Sequence, residues 1–221
     1  MFLAFRGVRT MLVDATPETR LQTLKDASRK GTTMTAPTTP ADFDRAYNLP
    51  LTVWGDIRIP PEIKSLVQKG TPGSLLELGC GVGRFSRYAA RQGVRATGVD
   101  FSAVAIAKAR RRVARDRLRP DFVVGDVTHL DAMTGPFDIA FDVGCFHCLD
   151  PIQQQGYVSE VGRLLKPGGM HLIWALDEAP SGATLSPEAV REIFAPGFKL
   201  TNARKSWRRI AASHWYWLVH A

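Results

Sequence analysis

The chain has little cysteine: Cys80, Cys145 and Cys148 are the three such residues among 221. A secreted protein held by disulfides needs a larger set, so the sequence predicts reduced thiols and a cytoplasmic location. Cys145 and Cys148 have the spacing of a redox pair or of half a zinc site. Because no second pair of Cys or His residues at ligand spacing completes such a site, we expect no metal ion.

Long apolar runs are also absent. The apolar opening, residues 1–5, is too short for a signal sequence or a membrane span, and we expect no membrane association. Residues 1–40 carry scattered charges and end in a stretch rich in Thr and Pro, which predicts an extension without fixed structure. The remaining residues, 41–221, suffice for one well-cored α/β domain and are too few for two.

The rest of the chain is organised around residues 75–91. An apolar run typical of a buried parallel strand breaks into Gly-x-Gly-x-Gly at Gly79, Gly81 and Gly83, and the chain resumes as a predicted helix. Glycines let the backbone bend sharply and let a ligand approach it closely. The first N–H groups of the helix point toward the same place. The turn is therefore suited to hold a flat, polar ligand against the main chain.

Two ligand classes fit such a turn. A dinucleotide site has Gly-x-Gly-x-x-Gly, with the pyrophosphate at the helix N-terminus, and here Arg84 stands where its third glycine would be. Glu77, two residues before Gly79, would repel a diphosphate and attract an ammonium group. The pattern favours a ligand that carries an amine, and a nicotinamide cofactor is the alternative.

An acidic residue also ends the second predicted strand, at 94–100. Asp100 lies about 20 residues beyond the first glycine, where a carboxylate can accept hydrogen bonds from both ribose hydroxyls. Phe101 follows and can lie against an adenine face, and Ser102 is a suitable N-cap for the next helix. Together with Glu77, these residues indicate an adenosine-containing ligand with an amino group.

Further motifs follow in order: Asp126-Val127 after a third strand, and Leu-Lys-Pro-Gly-Gly at 165–169 before a fifth. With them, residues 41–221 resemble class I S-adenosylmethionine (SAM) dependent methyltransferases. The resemblance implies an α/β fold, a Rossmann-like doubly wound seven-stranded mixed sheet with an antiparallel C-terminal hairpin. It implies SAM as cofactor and S-adenosylhomocysteine as product. The cofactor-binding residues it implies are Trp54, Glu77, Gly79, Cys80, Gly81, Gly83, Asp100, Phe101, Asp126, Val127, Asp142 and Gly144.

The resemblance also assigns parts of the cofactor. Glu77 and Gly79 would hold the methionine end, and Asp100 the ribose. Asp126 would accept the adenine amino group, while the backbone N–H of Val127 meets a ring nitrogen. Arg58 is a further candidate, for the methionine carboxylate or for an acidic acceptor.

The acceptor side is predicted from the loop after the fourth strand, 142–149. It lacks the Asn/Asp-Pro-Pro-Tyr signature of methylases that act on exocyclic base amines or glutamine amides, which disfavours a nucleic-acid N-methylase. His147 is the candidate general base or acceptor-orienting group, with Tyr47 as second candidate. Tyr47 and Trp54 lie in a predicted lid at 41–60, and a second lid is expected at 177–195.

Within the superfamily, the Phe-Asp-Arg-Ala-Tyr lead-in at 43–47 and the Asp-x-Gly-Cys-Phe-His loop at 142–147 look like the bacterial small-molecule branch. That branch includes thiopurine-methyltransferase-like and mycobacterial heterocyclic toxin methyltransferases. It implies methyl transfer to an N, O or S atom of a small aromatic or heterocyclic acceptor, by a monomer or a homodimer.

The net charge of +8 raises the alternative of an RNA methyltransferase. Much of the excess lies in residues 108–119, whose helical spacing leaves a buried stripe of Ala105, Ile106, Ala109 and Val113. We expect that helix to present a solvated basic face, and we expect no nucleic-acid partner. A protein that binds SAM without turnover is the other alternative.

Overall fold

The computed structural model describes residues 39–48, 58–68, 73–114, 120–178, 180–206 and 211–221. Nearly all of the predicted N-terminal extension, and Trp54, lie outside these ranges. The described strands are β1 (Ser74–Leu78), β2 (Arg95–Asp100), β3 (Asp121–Val124), β4 (Phe137–Val143), β5 (Leu165–Leu176), β6 (Phe198–Ser206) and β7 (Ser213–His220). The described helices are α1 (Pro40–Asn48), α2 (Pro61–Gln68), α3 (Arg84–Arg91), α4 (Ala103–Val113), α5 (Pro151–Leu164) and α6 (Pro187–Phe194).

The predicted sheet is confirmed. Its strands lie in the order β3-β2-β1-β4-β5-β7-β6. β1 pairs in parallel with β2 and β4, while β7 runs antiparallel between β5 and β6. The order along the chain reverses at β1, because β2 and β3 lie on one side of it and β4 and β5 on the other. Ligands of open α/β sheets bind beyond the carboxyl ends of the strands at such a reversal.

Helices cover both faces of the sheet, so the central strands are apolar on both sides. β5 shows the alternation: Leu172 and Trp174 pack in the cluster that contains residues of α2 and α3. Ile173 and Ala175 pack in the cluster that contains residues of α5 and α6. This two-sided burial fixes the register of β5, since a shift by one residue would exchange the two faces.

The basic helix α4 has the predicted arrangement. Its buried residues are Ala105, Ile106, Ala109 and Val113. The Ser102 hydroxyl accepts a hydrogen bond from the backbone N–H of Ala105 at 3.0 Å, which caps the helix as expected.

One strand boundary differs from the prediction. β5 begins at Leu165, before the Pro-Gly-Gly turn, because Leu165 already pairs with Phe137 in β4. The next register pair is Ile139 with Met170, so residues 166–169 form a bulge in β5. β3 ends at Val124, and Asp126 in the turn after it bridges His129.

In the part of the chain that the structure describes, no helix has the length and apolar character needed to cross a bilayer.

Gly83 joins the glycine turn to the fold. Its φ is +68°, and a Cβ built on it would lie 2.3 Å from Cζ of Phe122 and 3.1 Å from Cβ of Ala109. Gly93 has a φ of +86° and no atom within 4 Å of such a Cβ. The two positions therefore separate backbone strain from steric overlap.

We expect Gly93→Ala to lower the free energy of unfolding by roughly 1–2 kcal/mol, from left-handed strain alone. Gly83→Ala adds overpacking of roughly 1–3 kcal/mol. Urea unfolding followed by circular dichroism measures both. Equal losses would contradict the packing role assigned to Gly83.

Candidate active site

The candidate site lies where β1 and β4 end side by side. The glycine turn follows β1, and residues 144–148, which include a 3-10 turn, follow β4. The two loops touch, since a Cβ at Gly79 would lie 2.6 Å from Cβ of Cys145. This contact stands at the reversal of strand order, where the topology predicts a ligand crevice.

Asp100 anchors the glycine turn from the end of β2. Its buried carboxylate accepts hydrogen bonds from the backbone N–H of Gly81 at 2.7 Å and of Ser102 at 2.9 Å, one on each oxygen. Burial raises the pKa of Asp100 to about 6, against the lowering effect of these two hydrogen bonds. Asp100 thus fixes the turn relative to β2.

Glu77 lies beneath the turn. Its buried carboxylate accepts hydrogen bonds from the backbone N–H of Ser86, at 2.7 Å, and from the Ser86 hydroxyl. Burial raises the pKa of Glu77 to about 8. The carboxyl therefore ties β1 to the first turn of α3, and its contact with the methionine end of a cofactor stays a prediction.

Helix α1 lies against the glycine turn. A Cβ at Gly81 would lie 2.6 Å from the Tyr47 hydroxyl oxygen, so Tyr47, which is buried, closes over the turn. Phe43 packs edge-on against Phe101, with ring centroids 5.0 Å apart. The Ser102 hydroxyl donates a hydrogen bond to Asp44. These contacts place Tyr47, Gly81 and Phe101 together, and a lid at 41–60 stays a prediction.

Asp126 and Val127 occupy different environments. The exposed Asp126 accepts hydrogen bonds from the backbone N–H of Thr128 at 2.9 Å and from its hydroxyl at 2.8 Å. Val127 is buried in the core cluster on the α5 side. Asp126 thus organises the turn after β3, and its contact with an adenine amino group stays a prediction.

Asp142 organises the loop after β4. Its buried carboxylate accepts hydrogen bonds from the backbone N–H groups of Gly144, Cys145 and Phe146, at 3.1–3.2 Å. The Tyr157 hydroxyl donates a fourth, at 2.7 Å. Burial raises the pKa of Asp142 to about 6 although these bonds oppose the shift. Asp142 shapes the loop from beneath, and its predicted contact with the cofactor stays a prediction.

Sequence reasoning missed two members of this network. The Tyr157 hydroxyl also lies 3.1 Å from Nε2 of His171, and both side chains are buried. Burial lowers the pKa of His171 to about 4, so the imidazole is neutral. Since the Tyr157 hydroxyl donates to Asp142, Nε2 of His171 is the donor to Tyr157. A histidine inside the apolar run 170–176 was the available signal, because a buried polar group needs a partner.

His147 is held against β5. Its Nδ1 accepts a hydrogen bond from the backbone N–H of Leu176 at 3.1 Å, and its ring meets Trp174 edge-on at 5.8 Å. The Ser181 hydroxyl donates to the His147 carbonyl at 3.1 Å, which brings the predicted second lid to this loop. Because Nδ1 is an acceptor, the neutral ring carries its proton on Nε2. His147 is thereby arranged as a hydrogen-bond donor through Nε2.

The three cysteines form no disulfide. Burial raises the pKa of both Cys80 and Cys145 well above the usual value, so neither is an activated nucleophile, and Cys148 is exposed. Within the described ranges, no group of three or more His, Cys, Asp or Glu side chains is arranged to hold a metal ion. Arg58 is exposed at the start of the segment that leads into α2.

Residues 75–169, from β1 into β5, match a protein family described as a methyltransferase domain. The match covers less than half of the chain and supports a methyltransferase domain in this segment. The match includes the glycine turn, Asp100 and the loop of His147. The match agrees with the resemblance predicted from the sequence, and the cofactor contacts of the individual residues stay predictions.

A curated relative of this chain is also a methyltransferase by name. An uncharacterized methyltransferase of Schizosaccharomyces pombe is 30% identical over 91 residues, which are 41% of this chain and 63% of that protein. The chain thus spans less than two thirds of the length of this curated relative.

Solved structures share the fold. The N-methyltransferase NodS of Bradyrhizobium japonicum, in complex with S-adenosylhomocysteine, has a TM-score of 0.70 and 18% identity over 83% of this chain and 99% of its own. The 1,6-didemethyltoxoflavin-N1-methyltransferase of Burkholderia thailandensis, with 1,6-didemethyltoxoflavin and S-adenosylhomocysteine bound, has a TM-score of 0.70 and 23% identity over 82% of this chain and 87% of its own.

The raised pKa of Glu77 predicts a pH-dependent stability. Between the usual carboxyl pKa and about 8, the folded chain keeps this proton while the unfolded chain has lost it, so stability falls as the pH rises. From pH 6.5 to 8 we expect a fall of about 2 kcal/mol in the free energy of unfolding, at ~1.4 kcal/mol per pH unit. This range lies above the values of about 6 for Asp100 and Asp142.

Glu77→Gln should remove this slope, and the exposed Glu192→Gln should keep it. Urea unfolding at four pH values measures the slopes. The assignment fails if Glu77→Gln and the wild-type chain show the same dependence.

Proposed function

We propose that this chain transfers the methyl group of SAM to an N, O or S atom of a small aromatic or heterocyclic acceptor. One observation carries the proposal. The glycine turn over Asp100 and the loop of His147 touch at the carboxyl ends of β1 and β4, within the matched methyltransferase domain. One side of the crevice has the residues expected to bind an adenosine-containing ligand, and the other has a polar group for an acceptor.

The residues of the turn fit SAM. Each Asp100 oxygen accepts one backbone hydrogen bond, and a carboxylate oxygen can accept two. Asp100 thus keeps acceptor capacity for the two ribose hydroxyls. Gly81 carries no side chain, and the Tyr47 hydroxyl lies where its Cβ would be, so Tyr47 is placed to contact a ligand held by the turn. These two features support the predicted cofactor site more directly than Glu77 does.

SAM, when bound, supplies an electrophilic methyl group on a sulfonium, and the leaving group is a neutral thioether. The chain does not need to stabilise a departing anion, so positioning of the acceptor supplies much of the rate. We propose that His147 donates a hydrogen bond from Nε2 and orients the acceptor, because Nδ1 is held by Leu176. Tyr47, over the turn, is the second candidate for acceptor contact or proton transfer.

Acceptor selection is proposed to lie in the two lids, 41–60 and 177–195. The contact of Ser181 with His147 supports a role for the second lid next to the acceptor. A cytoplasmic location and a monomeric or homodimeric state are also proposed from the sequence. The first is supported by three cysteines that form no disulfide.

Calorimetric titration with S-adenosylhomocysteine, beside NADH, tests the cofactor assignment. We expect micromolar binding of S-adenosylhomocysteine, no binding of NADH, and at least tenfold weaker binding of S-adenosylhomocysteine to Asp100→Ala. Asp121→Ala, at the exposed start of β3, is the control and should bind like the wild-type chain. Binding of NADH in preference would overturn the assignment of the glycine turn.

A panel of aromatic and heterocyclic N, O and S acceptors tests the reaction, with release of S-adenosylhomocysteine as the readout. For the acceptor that is turned over, His147→Gln should lower kcat/KM by roughly 10²–10³-fold, as loss of a positioned polar group does. Its affinity for S-adenosylhomocysteine should stay within twofold. His220→Gln, on β7, should leave both values unchanged. Cofactor binding without turnover of any acceptor would instead support the non-catalytic alternative.

A further inference from the structure

A basic cavity of about 310 Å³ lies outside the candidate active site, on the outer surface of α3. Arg84, Arg87 and Arg91 recur at spacings of three and four along α3, so they share one face of the helix. The opposite face is the buried one and contains Phe85, Ser86, Ala89 and Ala90. The cavity and the glycine turn therefore use different sides of the same helix.

Helix α4 and two uncharged side chains complete the lining of the cavity. Arg112, from the last turn of α4, adds a fourth guanidinium group, and Tyr88 and Ile59 supply an aromatic and an aliphatic wall. Among the described residues that line the cavity, none is acidic. The cavity therefore concentrates positive charge, and the described residues that line it supply no carboxylate.

Two of the guanidinium groups, those of Arg87 and Arg112, are incompletely satisfied. The buried Nε of Arg87 has no hydrogen-bond partner. Burial, followed by the neighbouring Arg87 and Arg84, lowers the pKa of Arg112. The Arg112 Nη1 reaches the carbonyl of Val82 only at 3.5 Å, near the limit of a hydrogen bond. A bound anion would supply acceptors for these donors and offset the repulsion between like charges.

We propose that this cavity binds the phosphate group of a small molecule, as a phosphate ester or a pyrophosphate. Arginine matches phosphate oxygens through paired N–H donors, and several guanidinium groups around one anion are typical of phosphate recognition. The volume is at the lower end of the roughly 300–1,000 Å³ of small-ligand sites, which suits a phosphorylated metabolite. A concave site of this size favours such a molecule over the extended contact that RNA makes.

This site is separate from methyl transfer, so its test does not depend on the proposed function. Isothermal titration of the full chain uses two probes, inorganic pyrophosphate and ribose 5-phosphate, at constant ionic strength in chloride. Both are titrated with and without saturating S-adenosylhomocysteine. We expect saturable binding that S-adenosylhomocysteine does not abolish. Tighter binding of the ester identifies a phosphorylated small molecule as the source, and tighter binding of pyrophosphate identifies the free anion.

Charge-matched variants locate the site. Arg112→Gln and Arg87→Gln should each lower the affinity for the tighter-binding probe at least tenfold. Arg111 is an exposed neighbour on α4 outside the cavity, and the affinity of Arg111→Gln should stay within twofold of the wild-type value. Thermal unfolding and S-adenosylhomocysteine affinity should be unchanged in all three. Four results would overturn the proposal: no saturable binding of either probe, equal loss in Arg111→Gln, competition by S-adenosylhomocysteine, or binding of an RNA oligonucleotide without binding of either probe.

Discussion

Three buried carboxylates at the carboxyl edge of the sheet hold the site together. Glu77, one residue before the end of β1, binds Ser86. Asp100 ends β2 and binds Gly81 and Ser102, and Asp142, near the end of β4, binds Gly144, Cys145 and Phe146. In each case the carboxyl oxygens accept hydrogen bonds from backbone N–H groups of residues that follow a strand. Buried polar backbone needs such partners, so the loops have their shape because the carboxyls lie beneath them.

The residues that hold the loop after β4 in place differ from the residue proposed to contact an acceptor. Asp142 is fixed from below by Tyr157, which is in turn linked to His171 in β5. Above it, Gly144 precedes the turn that carries His147. The loop of His147 is thereby connected through β5 to the core, while acceptor selection is proposed to lie in the two lids, 41–60 and 177–195. A rigid base with variable covers permits one transfer chemistry to serve many acceptors.

Much of the fold could be predicted, because it depends on local patterns. The buried stripe of α4 follows from helical spacing, and the C-terminal hairpin follows from two strands with no helix between them. The position of Asp100 follows from its distance to the first glycine. The partner of Glu77 could not be predicted in this way, since an acid at a strand end can face a ligand or a helix. The pairing of Tyr157 with His171 depends on the packing of α5 onto β5, which no spacing in the sequence encodes. The early start of β5 likewise depends on its pairing with Phe137 across a bulge.

The position of β7 in the sheet means that β5 and β6 cannot join the same sheet before β7 is present. β7 follows β6 in the chain but lies between β6 and β5, and its Trp215 and Tyr216 are buried on opposite faces. During synthesis, β5 therefore presents an unpaired edge until the residues of β7 have left the ribosome, and β6 has no strand to join before then. An open edge of this kind is a template for pairing with other chains. The edge of β5 is thus open to pairing with other chains over the interval between the synthesis of β5 and that of β7.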